Sequence, residues 1–303
     1  MSSCDSLLIY AYGGPEKLSD VPPFLASVAH GKRIPAARLE SVRAHYALFD
    51  GRSPMNGAIR EFLRLWREVE PQIPAYFGCR HTLPSLKSAL EQMISDDCHH
   101  ARVLIPAPFG GYLETYHEKL AEVRAELESE GKSLPTLNFI PPFSENPDFL
   151  EAVARTITET LSVLEEPQRR NAQLLFSVHS LPVALARSSG YESEVRVAFE
   201  TLKKRFPAQK SHLGWQSASA SPIPWLEPGT LDVIQDLAEK EKKSEFKTLI
   251  LIPLGFPFEN MEVAYDQDVE ASQFAETRGF HVLRAPTIAR TPEFLKMVRS
   301  FRD

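Results

Sequence analysis

Two short segments carry side chains suited to proton and metal chemistry. Residues 176–182 read Phe-Ser-Val-His-Ser-Leu-Pro. An apolar run there delivers His179, and a proline then ends regular structure. An imidazole titrates near neutral pH and can accept a proton or ligate a cation. It can equally do no more than satisfy loop carbonyls. The second segment, residues 252–270, places Glu262, Asp266 and Glu270 at i, i+4 and i+8. On an α-helix this spacing sets three carboxylates along one stripe, where they repel one another. A solvated face would interleave Lys or Arg, and none occurs between Phe258 and Arg278. Such a line suits conduction of protons or of a divalent cation, although acidic helix faces that conduct nothing are common.

The elements that must position these groups follow from periodicity. Apolar runs over Leu7–Tyr12, Ala75–Gly78, Arg102–Ala107 and Thr136–Ile140 alternate with helical patterns over Ala58–Val69, Ser85–Met93 and Leu113–Glu130. The plan then repeats. Strand runs over Gln173–Val178, His212–Gln216, Thr248–Pro253 and Phe280–Ala285 alternate with helical patterns over Pro147–Leu161, Ser193–Arg205, Thr230–Glu241, Phe258–Arg278 and Pro292–Phe301. Alternating strands and helices imply parallel sheets flanked by helices. The expected fold is α/β, with two similar doubly wound, Rossmann-like lobes. Residues 1–141 form the first lobe and 142–290 the second, with 291–303 a terminal helix packing back on the first. In such folds ligands sit beyond the carboxyl ends of strands, where His179 and the start of the acidic segment fall.

Composition excludes several classes. The chain has 303 residues, 43% hydrophobic and 24% charged, enough for a sizeable core. A formal net charge of -6 with no basic stripe argues against a nucleic-acid partner. Three cysteines, Cys4, Cys79 and Cys98, show no C-x-x-C spacing, which points to a reducing compartment rather than a disulfide framework. The residues after Met1 lack a basic n-region and long apolar stretch, and nowhere is there a run of the ~18 apolar residues that span a bilayer. A cytoplasmic, soluble protein is expected. Neither dinucleotide nor P-loop glycine patterns follow a strand. His99-His100 beside Asp96-Asp97-Cys98 reads as an exposed loop, since adjacent histidines project apart.

Six ordered segments together resemble the ferrochelatases, over essentially the whole chain. They are Ala11-Tyr12-Gly13-Gly14-Pro15; His45-Tyr46 with Gly51-Arg52-Ser53-Pro54; residues 76–81 through Pro84; Ser177-Val178-His179-Ser180-Leu181-Pro182; Gly214-Trp215-Gln216-Ser217 with Pro224-Trp225-Leu226; and Gly255-Phe256 through Glu262 and Asp266. The resemblance implies a chelatase-like fold and insertion of Fe²⁺ into a porphyrin in haem biosynthesis. It is greatest to the soluble, monomeric bacterial branch that acts on coproporphyrin III rather than protoporphyrin IX. It implies His179 and Glu262 as catalytic and, with Asp266 and Glu270, metal-contacting residues. Tyr12, Lys32, Arg33, Arg52, Ser53 and Arg80 become candidates for the porphyrin and its propionates. No prosthetic group is expected; Fe²⁺ is a substrate. The chain has Glu259-Asn260 where the family usually has Asp-His, and fewer arginines near residues 29–33. Insertion of Co²⁺ or Ni²⁺ into another tetrapyrrole, or a weakened porphyrin-binding paralogue, remain alternative readings.

Overall fold

A computed structural model describes residues 6–219, 221–241 and 247–301. Cys4 and the first residues read above lie outside that range, as do residues 302 and 303. Among the described residues, no helix is long and apolar enough to cross a membrane.

Eight strands form two four-stranded sheets. The first contains β1 (Ser6–Ala11), β2 (Ala75–Cys79), β3 (His100–Leu104) and β4 (Thr136–Phe139), in the order β2-β1-β3-β4. The second contains β5 (Gln173–His179), β6 (Lys210–Gln216), β7 (Thr248–Ile252) and β8 (His281–Arg284), in the order β6-β5-β7-β8. All pairings are parallel. Each half therefore reverses its winding between its first and third strand. That reversal opens a crevice at the carboxyl ends of β1 and β3, and another at those of β5 and β7.

The strands read as continuous apolar runs because both faces are covered. Leu7 and Ile9 face one way, into a core shared with Leu174, Phe176, Ile250 and Phe294 from the second half and the terminal helix. Leu8 and Tyr10 face the other way, against Leu90, Met93 and Val123. In the second sheet, Leu175, Leu249 and Leu251 meet Ile234, Leu237 and Phe280. Each such side chain contributes roughly 1.5–3 kcal/mol by leaving water.

The helix Pro292–Ser300 touches both halves. Its Phe294 ring lies edge-on to Phe62 and Phe258, with centroids 5.8 Å away in each case. Lys296 pairs with Asp148, and Glu293 with Arg155, on the helix Pro147–Ser162. Arg102 of β3 donates to the carbonyl of Val298.

Three local readings are corrected. Helices occur at Val21–Val28 and Ala36–Ala47, where none was expected. The first opens on Pro22-Pro23, which in a sequence reads as a breaker. At a helix start, however, proline loses nothing, because those amides have no intrahelical partner. The acidic segment is not one α-helix over 258–278. It is irregular over 258–260, then runs as a π-helix over Glu262–Ala271 and a short α-helix over Ser272–Glu276. His100 is the first residue of β3 rather than loop.

Candidate functional site

The two crevices face each other across one cavity of about 430 Å³. Tyr12 and Gly13 reach it from the end of β1, and Pro106 to Phe109 from beyond β3. His179 reaches it from the last position of β5, and Gly255 and Phe256 from beyond β7. The unexpected helices close a side wall with Phe24, Val42 and Tyr46.

His179 meets Glu262 across this space, with Nδ1 and Oε2 2.9 Å apart. Each is held from behind. The Tyr191 hydroxyl donates to the carbonyl of His179 at 2.8 Å. Asn260 caps the start of the π-helix, its Oδ1 accepting the Val263 amide at 3.0 Å. Gln216, which pairs with His179 in the sheet register, donates through Nε2 to the carbonyl of Glu262 at 3.1 Å. Its Oε1 accepts from Ser177 and from Gln267. A carbonyl can only accept, so this set fixes which way the amide points.

Asp266 sits behind Glu262. It accepts from the Ser217 hydroxyl and, at 3.4 Å, from the Gln216 amide. Ser217 adopts a φ of 61° to present that hydroxyl, a left-handed conformation that non-glycine residues rarely take.

Electrostatics separate the groups. Burial by itself would depress the basicity of His179. The adjoining Glu262 carboxylate, its hydrogen bond and the more distant Asp266 outweigh that, and the pKa is raised. Burial lifts Asp266 to about 7, opposed by the Ser217 hydrogen bond and reinforced by Glu262 and Glu270. Tyr12 is pushed up to about 12 by burial and by Glu262, with Arg80 opposing. Asp266, which changes charge near neutrality, and His179, whose basicity is raised, thus flank one carboxylate. That is an arrangement for accepting and relaying protons.

Of the sequence candidates, His179, Glu262, Asp266, Tyr12, Ser53 and Arg80 line the cavity. Arg80 lies 5.5 Å from the Tyr116 ring centroid and donates to the Thr115 hydroxyl at 2.7 Å. Ser53 approaches so closely that a Cβ on Gly14 would lie 2.3 Å from its own Cβ. Lys32, Arg33, Arg52 and Glu270 are exposed and do not line it. Sequence reasoning missed Arg38, His45 and Tyr265, which do. His45 and Tyr265 stack across the cleft, with centroids 3.7 Å apart and planes 12° from parallel. The signal was present as Arg38 and His45, two turns apart on one helix, but that helix was not recognised. Among the described residues, no group of three His, Cys, Asp or Glu side chains could hold a metal ion.

Comparison with known proteins matches the sequence to a family. The sequence model of the ferrochelatase family matches residues 4–302. The chain is 35% identical over 308 residues to a coproporphyrin III ferrochelatase of Corynebacterium glutamicum, covering 97% of this chain and 82% of that protein. It is 34% identical over 320 residues to one of Streptomyces coelicolor, covering 98% and 84%. Among solved structures, SirB from Bacillus subtilis with Fe³⁺ superposes with a TM-score of 0.59 at 12% identity, covering 98% of this chain and 95% of that one. DR2241 from Deinococcus radiodurans, described as structurally similar to chelatases, gives 0.51 at 13% identity, covering 97% and 54%. At these identities the structures bear on fold alone.

Proposed function

The chain belongs to the ferrochelatase family, and on that premise we propose that it inserts Fe²⁺ into coproporphyrin III in the cavity between its two sheets. The observation that carries the residue assignment is the 2.9 Å contact between His179 and Glu262 at the meeting of the two crevices.

Insertion replaces two pyrrole N–H protons by one divalent cation, so the site must take up protons while accepting positive charge. His179 takes one proton from the ring and, once that proton has passed to the neighbouring carboxylates, takes the second. The Glu262 and Asp266 carboxylates raise its basicity and so favour proton uptake before the cation engages Glu262. Glu262 draws the cation from its water, because Fe²⁺ accepts both carboxylate and imidazole ligands. Asp266, titrating near 7, passes charge outward toward the exposed Glu270. Tyr12, kept protonated by burial, lines the same cavity. A cleft that holds the macrocycle bent exposes nitrogen lone pairs and so favours the transition state over the flat substrate.

Arg80 and Ser53, with Arg38 at the side wall, supply charge-assisted hydrogen bonds for propionates. The preference for coproporphyrin III rests on the relatives' substrate and on these cavity cations. The odd, small cysteine count and the resemblance to the monomeric branch support a monomer in a reducing cytoplasm.

The test is metallation by purified protein with Fe²⁺ under anaerobic conditions, coproporphyrin III and protoporphyrin IX being followed separately by absorbance. Turnover with coproporphyrin III is expected to be faster. Binding of both porphyrins without metallation would overturn the reading and favour a carrier.

A further inference from the structure

The acidic segment has no cation of its own, yet it is not without a counter-charge. Arg284 at the end of β8 supplies one from another element. Its Nε donates to Asp268 at 2.6 Å and its Nη1 to Glu259 at 3.0 Å. Thr287 adds a second donor to the same Glu259 oxygen at 3.0 Å. The Arg284 side chain is only 21% exposed and is absent from the cavity wall. The five carboxylates between residues 259 and 270 therefore divide in two. Glu259 and Asp268 turn back to Arg284. Glu262 and Asp266 line the cleft, with Glu270 beyond them.

The division matters because of what lies between the two paired carboxylates. Glu259 precedes the π-helix and Asp268 lies within it, so one guanidinium grips both ends of the stretch that carries Glu262, Tyr265 and Asp266. π geometry is rare and mostly confined to single-turn bulges; here it runs for 10 residues. Its position is set at the front by Gln216 and at the back by Arg284. An ion pair kept only for stability could sit anywhere along the segment. This one brackets the cleft carboxylates, and its planar fork fixes two directions at once, which an ammonium would not.

We infer that Arg284 is a positioning residue for metal insertion: by clamping Glu259 and Asp268 it sets the register of the π-helix and hence the reach of Glu262 to His179. The inference deepens the function proposed above and rests on it for its kinetic consequence, though not for its structural one. Loss of the clamp leaves two carboxylates without their cation beside three more of the same sign. The segment then shifts, and Glu262 loses its distance to His179. Misplacement of about 1 Å at such a site costs on the order of 100-fold.

The experiment compares Arg284→Gln, Arg284→Lys and Asp268→Asn with the parent protein, well below each melting temperature. Arg64→Gln serves as a control, because it removes an exposed ion-pair partner on a remote helix. For Arg284→Gln, kcat/KM for Fe²⁺ is expected to fall about 100-fold while the KM for coproporphyrin III stays within about twofold. Asp268→Asn should fall in the same direction. Arg284→Lys should recover part of the loss, and Arg64→Gln should change neither constant. Amide hydrogen exchange, read in parallel, should accelerate in residues 259–271 alone. Should the parent protein fail to metallate at all, the proposed function falls and the exchange measurement still decides the clamp. Unchanged exchange over 259–271 in Arg284→Gln, or parental kinetics in a folded Arg284→Gln and Asp268→Asn, overturns the inference.

Discussion

His179 Nδ1 lies 2.9 Å from Glu262 Oε2, although 83 residues separate them in the chain. Neither residue is held by the other alone. His179 is fixed by its place in β5 and by Tyr191, and Glu262 by Gln216 and by the cap at Asn260. The first prediction follows from that independence. His179→Ala should leave the fold and porphyrin binding in place and lower metallation by roughly 10²- to 10⁴-fold, the range typical of removing a general base. Glu262→Gln should be nearly as severe, and the exposed Glu270→Gln milder. Anaerobic single-turnover absorbance measures all three, and equal small effects would refute the proposed roles.

Asp266 makes the metal-free protein sensitive to pH in a direction that can be worked out. The group titrates at 3.8 in its ordinary state and at about 7 in the fold. Below 3.8 both states hold the proton and the group has no effect on folding. Between these values the unfolded chain releases its proton while the folded one keeps it, so stability falls as pH rises, by at most about 1.4 kcal/mol per pH unit. Above about 7 the cost is complete. Asp266→Asn should therefore gain stability relative to the parent between pH 4 and pH 7 and then level off. Urea melts across that range check this, and a pH-independent difference would contradict it.

The stack of His45 on Tyr265 joins the helix Ala36–Ala47 to the π-helix across the cleft. Aromatic pairs of this kind contribute about 0.5–1.5 kcal/mol beyond area burial. His45→Ala should accordingly speed admission and release of porphyrin by up to about tenfold, with little change in the insertion step. Stopped-flow fluorescence quenching separates the two.

Cations on the cavity wall should matter and those outside it should not. Loss of a charge-assisted hydrogen bond costs about 1.5–3 kcal/mol. Arg80→Ala and Arg38→Ala are each expected to raise the KM for coproporphyrin III by about 10- to 100-fold, and to affect protoporphyrin IX less. Arg52→Ala, at an exposed position beside Glu16, should leave both constants near parental values. Steady-state kinetics with the two porphyrins decides.

The eight strands, the α/β class and the chemical candidates His179, Glu262 and Asp266 were legible in the sequence. Buried parallel strands write themselves as short apolar runs, and a polar group at the end of such a run stands out against it. Residue spacing also showed that the acidic segment lacks an internal cation. Three features were settled only by tertiary structure. The wall bearing Arg38 and His45 was hidden because prolines and a weakly amphipathic pattern mask the two helices that form it. The π-helix was hidden because its hydrogen bonds close at i→i+5, a pattern that carboxylates spaced i, i+4 and i+8 do not announce. The counter-charge on Glu259 and Asp268 came from β8, beyond any local window. Periodicity reports which face of an element is buried; the partner that faces it, and the distance at which a histidine and a glutamate meet, depend on how the two sheets pack.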